Sequence, residues 1–88
     1  MNKGKLLIVD DNKSILSALE MLLLDEFEEV KTITSPNQIP SLIENGKYDL
    51  VLLDMNFSAG VNTGNEGLYW LKRIREIRPD MEVVLFTA

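Results

Sequence analysis

Short apolar runs alternate along this chain with segments in which apolar residues recur every three or four positions. The runs at 5–9 and 50–53 are rich in branched residues and lack polar alternation, which is typical of strands buried on both faces of a parallel sheet. After the first run, Ile15, Leu19 and Leu22 recur at helical spacing. The whole pattern predicts strands at 5–9, 30–34, 48–53 and 81–86, and helices at 12–24, 37–45 and 66–78.

The second helix is predicted to begin irregularly. Ser35 followed by Pro36 has the form of an N-cap with proline at the first helical position. A regular helix from Pro36 would deprive Pro40 of a backbone hydrogen bond and press its ring against the preceding turn. We therefore expect the regular part of this helix to begin nearer Pro40, and Asn45-Gly46 to end it.

The alternation of strand and helix predicts an α/β fold. Right-handed crossover connections turn a βαβαβαβ chain into a parallel sheet with helices on both faces. A length of 88 residues limits the chain to one small domain, and its 45% hydrophobic and 26% charged content is that of a globular protein.

Acidic residues follow two of the predicted strands directly. Asp10 and Asp11 come after the run 5–9, and Asp54 comes after the run 50–53. If these strands are parallel neighbours, their carboxyl ends coincide, and three carboxylates gather in the crevice where open α/β sheets bind ligands. Two such charges about 4 Å apart repel by roughly 4 kcal/mol at an effective dielectric constant near 20. No cationic residue is adjacent to them in sequence, so we expect a bound metal ion.

A purely structural role is the alternative for these acids. Asp10 or Asp11 could cap the first helix, although capping requires only one of them. Asp54 taken alone could be a solvated loop carboxylate.

Composition narrows the kind of metal and the kind of partner. The chain has no cysteine and no histidine, so a metal must be bound by oxygen, as Mg²⁺, Mn²⁺ and Ca²⁺ are. The net charge of −5 argues against direct contact with nucleic acid. The apolar runs are too short to span a membrane, and residues 1–9 do not form a signal peptide, so we expect a cytoplasmic protein.

Four spaced signals together resemble one family, the receiver domains of bacterial two-component response regulators. They are Asp10-Asp11 after the first strand, Asp54 after the third, Gly67-Leu68 opening the third helix, and Thr87-Ala88 after the fourth strand. The resemblance covers the whole chain. It implies a flavodoxin-like, doubly wound parallel sheet, which here has the strand order 2-1-3-4.

The resemblance also implies a role for each site residue. Asp54 would accept a phosphoryl group from the histidine of a partner kinase and contribute to a Mg²⁺ site. Asp11 would bind Mg²⁺ directly, Asp10 would act mainly through a bound water, and Asn56 would supply its backbone carbonyl. Thr87 would be the switch hydroxyl that turns toward the phosphoryl group. Such a domain switches an output domain and is not a turnover enzyme.

The chain departs from the family pattern at two places. The segment after Asp54, residues 55–67, is several residues longer than usual and has Ser58 where a proline is common. The family also continues beyond the fourth strand with two helices and a fifth strand, which carries a lysine that pairs with the phosphate. We therefore expect residues 1–88 to be part of a receiver domain within a longer regulator. The ending at 83–88 resembles regulators whose output is an ATPase-type transcription activator.

The missing elements imply an exposed apolar surface. Without the last helix, one face of the central strands is covered only by the first helix, and the fourth strand forms an edge. Surfaces of this kind promote association. We therefore expect this segment to form a homo-oligomer through that face or through the edge at 81–86.

Two other functions compete with the leading one. An aspartyl phosphohydrolase of the haloacid-dehalogenase type also places an aspartate after a buried strand, but it needs a second acid two residues later, where this chain has Asn56. A receiver-like module that dimerises without phosphorylation is the other alternative.

Overall fold

The centre of the molecule is a parallel sheet of four strands, seen in a computed structural model that describes residues 4–46, 48–54 and 65–86. The strands are β1 (Lys5–Val9), β2 (Glu29–Ile33), β3 (Leu50–Asp54) and β4 (Glu82–Phe86). Their order in the sheet is β2-β1-β3-β4, which confirms the predicted flavodoxin-like sheet with the order 2-1-3-4. The chain leaves β1 toward one side for β2 and returns to the other side for β3. The switch of direction between β1 and β3 is where such sheets form ligand crevices.

Three α-helices connect the strands: α1 (Lys13–Leu23), α2 (Ile39–Asn45) and α3 (Asn65–Ile77). Helix α1 begins one residue later than the sequence predicts because Asn12 is its N-cap. The side-chain oxygen of Asn12 accepts hydrogen bonds from the backbone N–H groups of Ser14, at 2.9 Å, and Ile15, at 3.2 Å. These bonds satisfy donors that have no partner within the helix. None of the described helices is long and apolar enough to cross a membrane.

The irregular start of the second helix takes the form of a 3₁₀ turn. Residues Pro36–Gln38 form this turn, and Ser35 caps it by accepting a hydrogen bond from the Asn37 N–H. Helix α2 then begins at Ile39, so Pro40 lies in its first turn. A first-turn residue has no helical acceptor for its N–H, so proline is tolerated there.

The core lies on both faces of the sheet. On the face covered by α2 and α3, the buried residues are Leu7, Val9, Ile33, Ile39, Ile43, Tyr48, Val51, Leu53, Ile74 and Met81. On the face covered by α1, they are Leu6, Ile8 and Leu16. The four apolar residues of β1 are completely buried, which explains why this strand lacks polar alternation.

The amino ends of β1 and β3 are joined by side-chain and backbone hydrogen bonds. The Asp49 carboxylate accepts a hydrogen bond from the Lys5 N–H at 2.8 Å, and the Asp49 N–H donates to the Lys5 carbonyl at 2.8 Å. Gly4 has a φ of +90°, and a Cβ at this position would collide with the Asp49 carboxylate. Glycine is therefore required here both for its backbone angle and for the close approach. Strand β3 begins at Leu50, two residues later than the predicted start at Tyr48.

Candidate metal centre

The register between β1 and β3 brings the acidic residues together. The paired residues run from Leu6 opposite Leu50 to Val9 opposite Leu53. One residue further along each strand, Asp10 lies beside Asp54, because both strands run in the same direction. Asp54 is the last residue of β3 and pairs with Phe86 of β4, so it is part of the strand rather than of the following loop.

The three predicted acids form one cluster. One carboxylate oxygen from each of Asp10, Asp11 and Asp54 lies within 4.8 Å of the other two. Asp10 and Asp54 are buried, with 1% and 3% of their surface exposed, whereas Asp11 is exposed. A hard cation bound to oxygen ligands at about 2.0–2.6 Å holds those oxygens at separations of this order. The cluster therefore has the size and the chemistry of a site for Mg²⁺ or a similar cation.

Asp10 provides the test of whether a cation fits. Its Oδ1 accepts a hydrogen bond from the Asn12 N–H at 2.9 Å, but its buried Oδ2 has no hydrogen-bond partner. The pKa of Asp10 is raised from 3.8 to about 6, mainly because the carboxylate is buried and also because the carboxylates of Asp54 and Asp11 lie beside it, against the lowering effect of the Asn12 N–H. A buried carboxylate with an unsatisfied oxygen is costly. A cation in the crevice, or a water bound to that cation, would supply the missing partner, so the residues fit a metal.

The three consecutive residues after β1 have three different structural roles. Asp10 follows the fully buried Val9 and lies at the bottom of the crevice, and Asp11 reaches solvent above it. Asn12 caps α1. The alternative that Asp10 or Asp11 serves as the helix cap is therefore wrong. Asn12 was missed as a contributor to the site; the signal was an Asx residue placed immediately before a helix.

Two predicted site residues lie outside the described part of the chain. They are Asn56, expected to supply a carbonyl ligand, and Thr87, expected to supply the switch hydroxyl. The long segment at 55–64 also lies outside it. Gly67, one of the four spaced signals, is buried in the first turn of α3.

Comparison with known families gives one match along nearly the whole chain. Residues 6–88 match the response regulator receiver domain family.

Several curated proteins are similar in sequence. The chain is 34% identical over 87 residues to the alginate biosynthesis transcriptional regulatory protein AlgB of Pseudomonas putida, covering 99% of this chain and 18% of that protein. It is 36% identical over 84 residues to the transcriptional regulatory protein DltR of Streptococcus agalactiae, covering 96% of this chain and 35% of that protein. The chain thus spans less than two-fifths of the length of these relatives.

Solved structures agree with this match. The N-terminal signal receiver domain of a response regulator from Bacteroides fragilis is 43% identical with a TM-score of 0.82, over 94% of this chain and 64% of that one. The response regulator TrrA from Thermotoga maritima, solved in complex with Mg²⁺ and beryllofluoride, is 31% identical with a TM-score of 0.80, over 100% of this chain and 70% of that one.

Proposed function

This chain belongs to the response regulator receiver domain family, and we propose that it accepts a phosphoryl group on Asp54 with the help of a bound Mg²⁺. The single observation that carries the proposal is the cluster at the end of the sheet. There the carboxylate of Asp54 lies within 4.8 Å of carboxylate oxygens of Asp10 and Asp11.

The proposed Mg²⁺ ligands are Asp11, Asp54 and the backbone carbonyl of Asn56, with Asp10 acting mainly through a bound water. The unpartnered Oδ2 of Asp10 and its raised pKa support a cation in this crevice. The likeness to the Thermotoga maritima protein, whose structure contains Mg²⁺ and beryllofluoride, supports it as well. When bound, the cation offsets the charge of the carboxylates and of an incoming phosphoryl group.

The chain's own residues position the nucleophile. Asp54 is held by a strand at the centre of the sheet, with 3% of its surface exposed, so its carboxylate has little freedom and little access to water. In the proposed reaction a carboxylate oxygen of Asp54 forms a bond to the phosphorus of a phosphohistidine. The bond from phosphorus to the histidine nitrogen breaks, and that nitrogen recovers its electron pair. Phosphoryl transfer demands mainly such positioning and charge neutralisation.

The proposed output of the reaction is a change in shape. In our proposal the hydroxyl of Thr87, just beyond β4, donates a hydrogen bond to the new phosphoryl group. Asp54 ends β3 opposite Phe86 of β4, and Thr87 is the next residue along the chain after Phe86. A charge added at one strand end can thereby alter the backbone at the next.

Receiver domains act with histidine kinases and output domains, and they are signalling modules. That this chain performs no catalytic turnover of its own is part of the proposal. The names of the relatives AlgB and DltR support an output in transcription. The type of output domain stays a prediction.

We also propose that this segment associates with a second copy of itself. Val84 of β4 is 48% exposed on the α1 side of the sheet, and within the described residues β4 pairs only with β3. These features support association through the edge or the face of β4. Light scattering at micromolar concentration tests it, and a monomer at that concentration would contradict it.

Phosphorylation by a small donor tests the central proposal. The full natural chain is incubated with acetyl phosphate and Mg²⁺, and the intact mass is measured. We expect a gain of one phosphoryl group, lost in Asp54→Asn and retained in the matched control Asp25→Asn, which removes an exposed carboxylate elsewhere. Equal labelling of Asp54→Asn and the unchanged protein would overturn the proposal.

A further inference from the structure

Asn12 makes hydrogen bonds in both directions at the junction between β1 and α1. Its N–H donates to Asp10 Oδ1 at 2.9 Å, and its carbonyl accepts from the Leu16 N–H at 3.1 Å. Its side-chain oxygen accepts from the N–H groups of Ser14 and Ile15 at 2.9 and 3.2 Å. The Asn12 side chain itself is exposed. One exposed residue thus links a buried carboxylate of the metal centre to the first turn of a helix.

The hydrogen bond from the Asn12 N–H sets the orientation of the Asp10 carboxylate. Asp10 Oδ1 is the acceptor, while Oδ2 is buried without a hydrogen-bond partner. The carboxylate cannot turn about its Cβ–Cγ bond without breaking the bond to the Asn12 N–H. That N–H therefore fixes the plane in which both oxygens of Asp10 lie.

The backbone is held on both sides of Asp11. Before it, the Asp10 N–H donates to the Ile33 carbonyl of β2 at 3.2 Å. After it, Asn12 is bound to the first turn of α1. The position from which the exposed Asp11 side chain reaches the cluster is thus determined by its two neighbours.

The side chain of Asn12 holds its own N–H in place. The residue has the extended backbone angles of an N-cap, with φ −96° and ψ 108°, and its bonds to the first-turn N–H groups stabilise that conformation. Helix α1 is in turn anchored by Leu16, which is buried with Leu6 and Ile8. A continuous connection therefore runs from the core through α1 and Asn12 to Asp10.

We propose that Asn12 is a positioning residue for the metal centre. It fixes the orientation of the Asp10 carboxylate and the place of Asp11, and it thereby raises the affinity of the cluster for Mg²⁺. The inference rests on the Mg²⁺ site of the proposed function, and Asn12 acts on that site through the two aspartates. Residues that orient metal ligands contribute roughly 10–100-fold to metal affinity.

Amide hydrogen exchange of the full natural chain in the presence of a chelator tests the inference without metal. In Asn12→Ala, the amide of residue 12 should exchange about tenfold faster or more, after correction for the intrinsic rate of each sequence, because its bond to Asp10 is no longer held. Ala18→Gly is the matched control. It weakens α1 by an amount similar to the loss of a cap, at an exposed residue that makes none of the bonds of Asn12. Exchange at residue 12 should be nearly unchanged in this control.

A Mg²⁺ titration followed by the amide resonances measures the effect on affinity. The Kd should be about tenfold weaker or more in Asn12→Ala and within about twofold of the unchanged protein in Ala18→Gly. Asn12→Ser keeps a capping oxygen and adds no charge, so it should restore both the slow exchange and the affinity.

The outcomes separate this inference from the proposed function. Equal exchange or equal Kd values in Asn12→Ala and Ala18→Gly would overturn the inference, because a general loss of helix stability would then explain every effect. Failure of Asn12→Ser to restore exchange would overturn it as well. An unchanged protein that binds no Mg²⁺ would overturn the proposed function, and the exchange experiment would still decide whether Asn12 holds Asp10.

Discussion

The two ends of the β1–β3 pair use aspartate in opposite ways. At the amino ends, Asp49 is exposed and its carboxylate accepts a hydrogen bond from the Lys5 N–H at 2.8 Å, next to a glycine shaped to receive it. At the carboxyl ends, Asp10 is 1% exposed and its Oδ2 has no partner. The first aspartate stabilises the fold. The second costs stability, and that cost is the mark of a group kept for binding.

The largest expected change in the free energy of unfolding comes from removing the charge of Asp10. Asp10→Asn keeps the shape of the side chain and an acceptor for the Asn12 N–H, but removes the buried charge. The pKa of Asp10 is raised from 3.8 to about 6, so at pH 7 the variant should gain about 3 kcal/mol in the free energy of unfolding without metal. Urea denaturation in the presence of a chelator measures the gain.

The pH dependence provides the check on that prediction. As pH falls from above 6 to below 3.8, Asp10 becomes protonated in the folded state before the unfolded state, which stabilises the unchanged protein. The difference between the two proteins should therefore close at low pH. A constant difference across this range would show that the buried charge is not its cause.

Magnesium should reverse the cost that Asp10 imposes. Because the cation binds only the folded cluster, Mg²⁺ at about one hundred times its Kd should stabilise the protein by about 2.7 kcal/mol. Thermal unfolding with and without Mg²⁺ measures this effect, and Asp11→Asn should reduce it strongly. Full stabilisation of Asp11→Asn by Mg²⁺ would contradict the assignment of that ligand.

At the opposite end of the strands, Gly4→Ala should destabilise the protein by about 2 kcal/mol. The added Cβ is strained at a φ of +90° and displaces the Asp49 carboxylate from its hydrogen bond. Chemical denaturation measures this loss of stability. Gly46→Ala is not a suitable control, because a Cβ at Gly46 would collide with the Tyr48 side chain. The affinity for Mg²⁺ should be nearly unchanged if the amino ends serve only the fold.

The smallest effect, with the opposite sign to Asp10→Asn, is expected for Asp49→Asn. The variant keeps an acceptor for the Lys5 N–H but loses the charge that strengthens the hydrogen bond. The free energy of unfolding should fall by about 1 kcal/mol or less. A gain in stability here would remove the distinction between the two aspartates.

Much of this contrast could be predicted from the sequence. The uninterrupted apolar runs of β1 and β3 predicted buried parallel strands, and the family resemblance implied that they are neighbours. Neighbouring parallel strands bring the residues at their carboxyl ends to one edge of the sheet. The irregular start of α2 could be predicted because proline chemistry is local. In contrast, the sequence gives Asp10 and Asp11 the same chemistry, and only packing decides that one is buried and the other exposed.

Other features depend on contacts between distant residues. The hydrogen bonds between Lys5 and Asp49 join residues 44 positions apart, so no local sequence pattern predicts them. Asp54 was expected just beyond its strand, but pairing with Phe86 extends β3 by one residue. The roles of Asn56 and Thr87 stay predictions.

Asn12 gives the acidic cluster a mechanical connection to the rest of the fold. Its N–H donates to Asp10, and its side chain accepts from the N–H groups of Ser14 and Ile15 in the first turn of α1. Any change in the electron density on the Asp10 carboxylate alters the strength of a bond at the root of that helix. Asn12 thereby connects helix α1 to the crevice through its backbone N–H and its side chain. The chemical shift of the Asn12 amide proton should therefore report whether a cation occupies the crevice.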